Sequence, residues 1–182
     1  MKNLVSIAGY DASSGAGVVR DVDTFFSFGF HGIAVPTCTV VQGPGGVERV
    51  EPSSEDLFRD VLRAATAGIP VKGVKIGVLC DESHVRATAS FLAKRRGAPV
   101  VLDPVFAAKN GVPLITDEGR AACIDVLFEK VTVITPNAEE ASAITGIKVG
   151  TVKAARKAAE KIRSLGPGAV VIKGGHLEGD PV

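Results

Sequence analysis

Tryptophan is absent from this chain, Tyr10 is its one tyrosine, and aromatic residues make up 5% of it. A platform that stacks single-stranded bases needs several rings interleaved with cations, so that class is excluded. Charge of one sign is lacking too. Lys and Arg number 21 against 20 Asp and Glu, a formal net charge of +1. There is no basic excess for nucleic acid and no acidic tail. Long apolar runs are missing. The N-terminal stretch has one lysine and the short run Leu4–Ala8, too little for a signal peptide, and no run approaches the roughly 20 residues of a membrane span. Cysteine is sparse: Cys38, Cys80 and Cys123 lie far apart, form no CxxC pair and are odd in number. They read as small buried hydrophobes in a reducing cytoplasm rather than a disulfide framework. No internal repeat or low-complexity segment is present.

What remains is ordinary for one globular domain over residues 1–182, with 46% hydrophobic and 23% charged residues. Leu4–Ala8 reads as a buried strand, Gly9–Gly17 as a loop opening a helix, and Val18–Phe28 as that helix, stopped by Gly29. Ile33–Val41 is a second strand, broken by Gln42-Gly-Pro-Gly-Gly46, with a short edge strand over Val47–Val50. Ser53 or Ser54 caps a helix with Leu57, Phe58, Val61, Leu62 and Ala65 as its stripe. Strands over Val74–Leu79, Val100–Leu102, Val131–Thr135 and Ala169–Ile172 alternate with helices over Asp81–Arg96 and Asp117–Lys130, a short one after Asn137, and a long one capped by Thr151. In that last helix Val152, Ala155, Ala159, Ile162 and Leu165 face inward. Continuous apolar strands alternating with helices imply an α/β fold: a mostly parallel sheet with helices on both faces. Functional residues then belong at the carboxyl edge of the sheet.

That rule selects Gly9-Tyr10-Asp11, Gln42-Gly43, Gly77-Val78, Asp103-Pro104, Thr135-Pro136-Asn137 and Lys173-Gly174-Gly175-His176. Each admits a plainer reading. The Gly9–Gly17 loop has neither P-loop nor dinucleotide spacing and serves equally as a strand–helix turn. Asp103 before a proline suits a metal or phosphate site, or a turn. Asn137 and Glu140 have capping-box spacing, which does not prevent the glutamate from facing a ligand. Lys173 with two glycines is a cation beside close-approach backbone, or a turn. His31 and His84 have no partner at metal spacing and are read as surface residues.

The order of these pieces carries more than any one of them. Ala8-Gly-Tyr-Asp11, Ser14-Gly-Ala-Gly17, Asp21, Gln42, Val74–Leu79, Val101-Leu-Asp-Pro-Val105, Lys109-Asn-Gly111, Thr135–Glu140 and Lys173–His176 follow one another across nearly the whole chain. The series resembles the hydroxymethylpyrimidine/phosphomethylpyrimidine kinase family of the ribokinase-like superfamily. The resemblance implies ATP-dependent phosphorylation of 4-amino-5-hydroxymethyl-2-methylpyrimidine or its monophosphate in thiamin biosynthesis, with ATP and Mg2+ as cofactors. It implies a cytoplasmic homodimer whose partners are the pyrimidine and ATP, not nucleic acid or membrane. By the same resemblance, Asp11, Asp21, Gln42 and Val78 bind substrate, Gln42 at the aminopyrimidine edge and Val78 on the ring. Asn137, Lys173, Gly174, Gly175 and His176 serve the nucleotide, and Asp103 and Glu140 place the metal.

The chain departs from the family pattern at Tyr10, Ser14, Val78, Phe106 and the Gly43–Gly46 tip, where a smaller residue, Gly, Met, Met and an Asn-Thr pair are usual. Family members also continue to a glycine-rich motif that forms the anion hole and supplies the base. Both are expected beyond Val182, so the domain reads as incomplete at its C-terminal end. Two rivals stay open: a pyridoxal/pyridoxine kinase on the same fold, and a non-catalytic pyrimidine-binding domain without the anion hole.

Overall fold

The computed structural model describes residues 1–43, 45–95 and 97–174. Strands β1 (Asn3–Asp11), β2 (His31–Gly43), β3 (Gly46–Pro52), β4 (Val71–Ile76), β5 (Val100–Leu102), β6 (Val133–Ile134) and β7 (Ala169–Val170) form one seven-stranded sheet in the order β3-β2-β1-β4-β5-β6-β7. All neighbouring pairs are parallel except β2 with β3, a hairpin at the edge. The expected parallel-rich sheet is present. β1 and β2 run further than their apolar cores, because polar Tyr10 and Asp11 pair with Thr39 and Val40 beyond a register shift after Ala8.

Helices α1 (Gly17–Ser27), α2 (Glu55–Ala65), α3 (Glu82–Ala93), α4 (Asp117–Ala122), α5 (Ala138–Thr145) and α6 (Val152–Ser164) fill the connections. Residues alternate in a strand, and the alternation assigns the faces. Val5, Ile7, Ile33, Val35, Val74, Ile76, Val100, Leu102 and Ile134 belong to a core that includes Phe58, Leu62, Phe91, Leu127, Phe128 and Ile162 from α2–α6 and the turns after α4. The opposite face takes α1. A side chain at Gly32 would collide with Val22, and Ser6 donates to Asp21 of α1 at 2.5 Å. Caps follow the sequence: Ser54, Asp81, Thr116, Asn137 and Thr151 each accept a backbone N–H in the first turn of their helix. Gly29, at φ +78°, follows the end of α1.

Three expectations need correction. The single helix over Asp117–Lys130 is broken: α4 stops at Ala122 and passes into a wide π turn over Cys123–Leu127 and a tight 3-10 turn over Phe128–Lys130. This change of winding accompanies the full burial of both Leu127 and Phe128. In α6 the inward residues are Ala155, Ala158 and Ile162, and Val152 is exposed, since the stripe drifts with the 3.6-residue period. His84 is not a surface residue but 0% exposed. α3 packs against α2 on one side and α4 on the other, so a face that looks polar in sequence is interior. His31 is exposed, as expected, and the three cysteines are buried and free. Burial pushes the Cys123 thiol up to about 12, which leaves it inert at neutral pH.

Phe58, with Phe128 one of the two largest fully buried side chains, lies on α2 with its ring 4.8 Å from that of His84. Phe58→Ala is expected to cost about 3–5 kcal/mol, through lost burial plus the cavity left behind. Urea unfolding monitored by circular dichroism measures it. A loss under about 1 kcal/mol would contradict this placement of the core.

Candidate active site

Asp11 ends β1 at the carboxyl edge and is 3% exposed. Its carboxylate accepts from Ser13 N at 2.9 Å, Ser13 Oγ at 2.8 Å and Ala16 N at 3.0 Å, and its carbonyl accepts from Ser14 N at 3.1 Å. The loop thus folds back over the strand it leaves. Gly17 completes the fold-back: it takes φ +67°, and an added Cβ would lie 2.1 Å from the Gly9 carbonyl oxygen. Burial pushes the Asp11 carboxyl upward, but the hydrogen bonds from Ser13 and Ala16 outweigh it and hold the group below its ordinary value. Ala16, the residue before α1, brings no side-chain cap, so the first turn of that helix is left to other acceptors.

Beside this loop lies a cleft of about 470 Å³. Asp11 and Gly15–Gly17 form one wall, Val40, Gln42 and Val47 of the β2–β3 hairpin a second, Gly77 and Val78 the floor, and Asp103 with Ala107–Asn110 the far side. Gln42 Nε2 donates to Ser13 Oγ at 3.0 Å, which sets the amide against the first loop. Asn110 Nδ2 donates to Val47 O at 2.9 Å and joins the far side to the hairpin. Asp21 does not line this cleft. It lies on α1 under the sheet, where Lys75 Nζ at 2.8 Å and Ser6 Oγ at 2.5 Å engage its carboxylate. Lys75 is the residue of that pair that reaches the cleft.

Next to the cleft is a charge cluster drawn from the ends of β5, β6 and β7. Lys173 Nζ lies 2.7 Å from Asp103 Oδ1 and 3.9 Å from Glu140 Oε2. Thr135 Oγ1 donates to Asp103 Oδ1 at 3.3 Å. Asn137 and Glu140 form the anticipated capping box: Glu140 N donates to Asn137 Oδ1 at 2.8 Å and Asn137 N to Glu140 Oε2 at 2.6 Å. Lys173 N donates to Pro136 O at 2.8 Å and pins the last strand end to this corner. Burial holds Glu140 above the ordinary glutamate value. Asp103 and Glu139 add to the rise, while the Asn137 N–H and Lys173 oppose it. Among the described residues no group of three or more acidic, histidine or cysteine side chains could cage a metal. Asp103 and Glu140 match in number the one or two carboxylates that magnesium takes from a protein, and here both face the Lys173 ammonium.

Asp11, Gln42, Val78, Asp103, Asn137, Glu140 and Lys173 are thus brought to this rim, and Asp21 is not. Gly174 is described and exposed, and Gly175 and His176 lie outside the described residues. Ser13, Lys75 and Asn110 escaped the sequence reading as site residues. A lysine inside an otherwise apolar strand was the available signal for Lys75. Ser13 looked like turn composition, and its role depends on Asp11 and Gln42 together.

A mostly parallel α/β sheet with a cleft and a cluster of charged side chains on its carboxyl edge is the arrangement of a ribokinase-like small-molecule kinase fold. The phosphomethylpyrimidine kinase from Clostridium difficile superposes with a TM-score of 0.90 at 35% identity, covering 100% of this chain and 79% of that one. The Staphylococcus aureus pyridoxal kinase in complex with AMP-PCP and pyridoxal gives 0.85 at 30% identity, covering 96% and 63%. In sequence, the hydroxymethylpyrimidine/phosphomethylpyrimidine kinase of Aquifex aeolicus is 39% identical over 97% of this chain. A thiamine biosynthesis bifunctional protein of Geobacter sulfurreducens is 35% identical over 99% of it, matching 37% of its own length. The phosphomethylpyrimidine kinase family matches residues 11–182, and the chain belongs to that family. The chain spans about two-thirds of such relatives, 69% of the Aquifex protein and 63% of its Mycobacterium leprae counterpart.

The depressed Asp11 carboxyl makes a pH prediction. A group whose folded value lies below its unfolded value, 3.8 here, stabilises the fold above that pH and ceases to do so as pH falls through the folded value. Asp11→Asn is expected to lose about 1–3 kcal/mol at pH 7. The gap to wild type should close below pH 3.8. Denaturant titrations of both proteins across pH check it; a gap independent of pH would reject the carboxylate as the loop's organiser.

Proposed function

We propose that this chain provides the acceptor site and the metal-bearing corner of a kinase that phosphorylates 4-amino-5-hydroxymethyl-2-methylpyrimidine or its monophosphate from ATP, in thiamin biosynthesis. One observation carries the reading: Asp103 is shared. It lines the cleft and is paired with Lys173 in the charge cluster, so an acceptor in the cleft and a phosphate at the cluster would meet at one carboxylate.

The residues divide the work along the rim. Gln42 presents both an acceptor and donors, the complement of an amino group beside a ring nitrogen. Val40 and Val78 offer apolar contact to the ring faces. The backbone of Gly15–Gly17 permits close approach. Lys173 is a compact cation for phosphate oxygens, and Asn137 orients the corner through its cap. Asp103 and Glu140 would hold magnesium, which supplies charge neutralisation on the phosphates. Such positioning and neutralisation are the main needs of phosphoryl transfer. No base is assigned among the described residues. Asp21 acts at one remove, fixing Lys75 beneath the cleft.

The family resemblance assigns Gly175 and His176 to the nucleotide as well. A cytoplasmic location fits three free cysteines, and no helix among the described residues is long and apolar enough to cross a membrane. A homodimer fits the exposure of Phe26 (70%) and Phe28 (76%) on and after α1, and sedimentation velocity tests it.

The function is tested by ADP release with hydroxymethylpyrimidine, its monophosphate and pyridoxal as rival acceptors, alongside calorimetry. Pyrimidine-dependent turnover supports the proposal. Preference for pyridoxal assigns the chain to the sister activity, and pyrimidine binding without turnover makes it a binding domain. Two variants locate the sites. Gln42→Ala should weaken pyrimidine binding by about 1–3 kcal/mol and leave nucleotide binding alone. Glu140→Gln keeps the capping hydrogen bond but removes a charge, so it should weaken magnesium-dependent nucleotide binding more than it lowers stability. Identical metal titrations for the two proteins would reduce Glu140 to a cap.

A further inference from the structure

Behind the floor of the cleft lies a polar network to which the proposed chemistry gives no task. The connection Gly77–Asp81 leaves β4 with Gly77 N donating to Ile7 O at 2.8 Å. Val78 lines the cleft, and its carbonyl accepts the Thr37 hydroxyl at 2.7 Å. Two residues later Cys80 takes φ +61°, and Asp81 N donates to Leu79 O at 2.7 Å. That is a γ-turn with positive φ at its centre, the rare and strained form for a side-chain-bearing residue. Such a conformation persists only where its surroundings over-determine it.

On one side Cys80 O accepts from Thr116 N at 2.8 Å, and on the other a buried histidine holds the turn. Asp81 Oδ1 lies 2.9 Å from His84 Nδ1 and accepts from His84 N at 3.0 Å and Ser83 Oγ at 2.8 Å. The other ring nitrogen, Nε2, lies 3.2 Å from Ser53 Oγ. Ser53 Oγ and N each lie 3.0 Å from Thr37 O. Thr37 closes the circuit at Val78. The hydrogen bonds from His84 and Ser83 outweigh burial and hold the Asp81 carboxyl below its ordinary value, so it stays an acceptor for Nδ1–H. The Ser53–His84–Asp81 order is that of a hydrolase triad, yet the imidazole is 0% exposed and the serine hydroxyl also faces a backbone carbonyl. A nucleophile needs an open approach, whereas this set is folded into the junction of β2, α2 and α3. An imidazole is also a costly choice for such a site unless both nitrogens are used, and both are.

We propose that His84 is a positioning residue for the ring-binding wall. By joining Asp81 to Ser53 it closes a ring of hydrogen bonds, Asp81–His84–Ser53–Thr37–Val78, around the strained turn at Cys80. That ring sets how far Val78 projects into the cleft. The structural half stands on the geometry alone; its effect on substrate rests on the cleft being the pyrimidine site.

The test uses His84→Leu, which keeps volume and removes both bonds, and Ser53→Ala, which leaves the imidazole in place and decides the matter should the first variant not fold. Methyl NMR follows Val78, its signals identified by their loss in Val78→Ile, with Val5 and Val35 as core references. Calorimetry measures hydroxymethylpyrimidine and ADP separately. The expected result is displaced Val78 methyl signals with Val5 and Val35 unmoved, pyrimidine affinity down about three- to tenfold, and ADP affinity unchanged. Variants that fold, melt at lower temperature, yet keep the Val78 signals or the pyrimidine affinity of wild type would overturn the proposal. Should the wild type bind no pyrimidine while the variants still displace Val78, the positioning stands and the assignment of the cleft falls.

Discussion

β1 is paired in parallel with β2 on one side and β4 on the other, and this fixes where the chemistry is located. A parallel neighbour cannot be reached by a tight turn, so the chain must cross back to the amino edge before each new strand. Every such strand then leaves the sheet at the same edge. Asp11, Val78, Asp103, Asn137 and Lys173 are far apart in sequence and share nothing locally, yet the crossovers α1 to α6 deliver them to one rim. β3 is the exception that completes the arrangement. It runs antiparallel beyond β2, so the hairpin between them projects past the edge and supplies Gln42 and Val47 as a wall.

The rim is graded in charge. At the hairpin end the polar groups are neutral, the Gln42 amide and the Ser13 hydroxyl, while the Asp11 carboxylate is consumed by its own loop. At the β5–β7 end are two carboxylates and a lysine, one of the carboxylates buried and held reluctant to ionise. A buried carboxylate in that condition gains from any cation brought to it, since neutralising the charge removes the cost of burying it. Under the proposed function the ring of the acceptor takes the first end and polyphosphate the second. Asp103 lies between them, which makes the rim one site rather than two.

Much of this was legible in the sequence because apolar runs ending in Gly, Asp-Pro or Pro-Asn mark strand ends, and a parallel sheet turns strand ends into a rim. Asn137 and Glu140 were legible as a cap for the same local reason. Where sequence reading failed, the deciding contact was remote. Asp21 has the right family position, but its carboxylate is turned under the sheet by Lys75 and Ser6, 54 and 15 residues away. His84 appears on a polar helical face until α2 and α4 enclose it. The helix after Thr116 had an unbroken pattern, and only the packing of Leu127 and Phe128 reveals its change of winding. Periodicity reports which face of an element is apolar; it does not report how many neighbours that element will have.

The departures from the family pattern can be weighed in the same terms. Tyr10 is the bulkiest of them, but alternation along β1 turns it away from the side on which Asp11 is buried, and it stays 41% exposed. Gly43, Gly45 and Gly46 carry no side chain in the segment where an Asn-Thr pair is usual. Gly46 takes φ +106°, and a Cβ there would come 2.8 Å from Asn110 Nδ2. The bare glycine is what lets Asn110 approach and donate to Val47 O. Hairpin and far wall therefore meet at the cleft through the Val47 carbonyl and the Asn110 amide. Val78, shorter than the usual methionine, leaves the floor less covered by its own side chain. The position of its backbone then matters more, and that backbone is held by Thr37 from behind. At the hairpin and at the floor alike, smaller residues stand beside a main chain held by a side-chain hydrogen bond, from Asn110 in one case and Thr37 in the other.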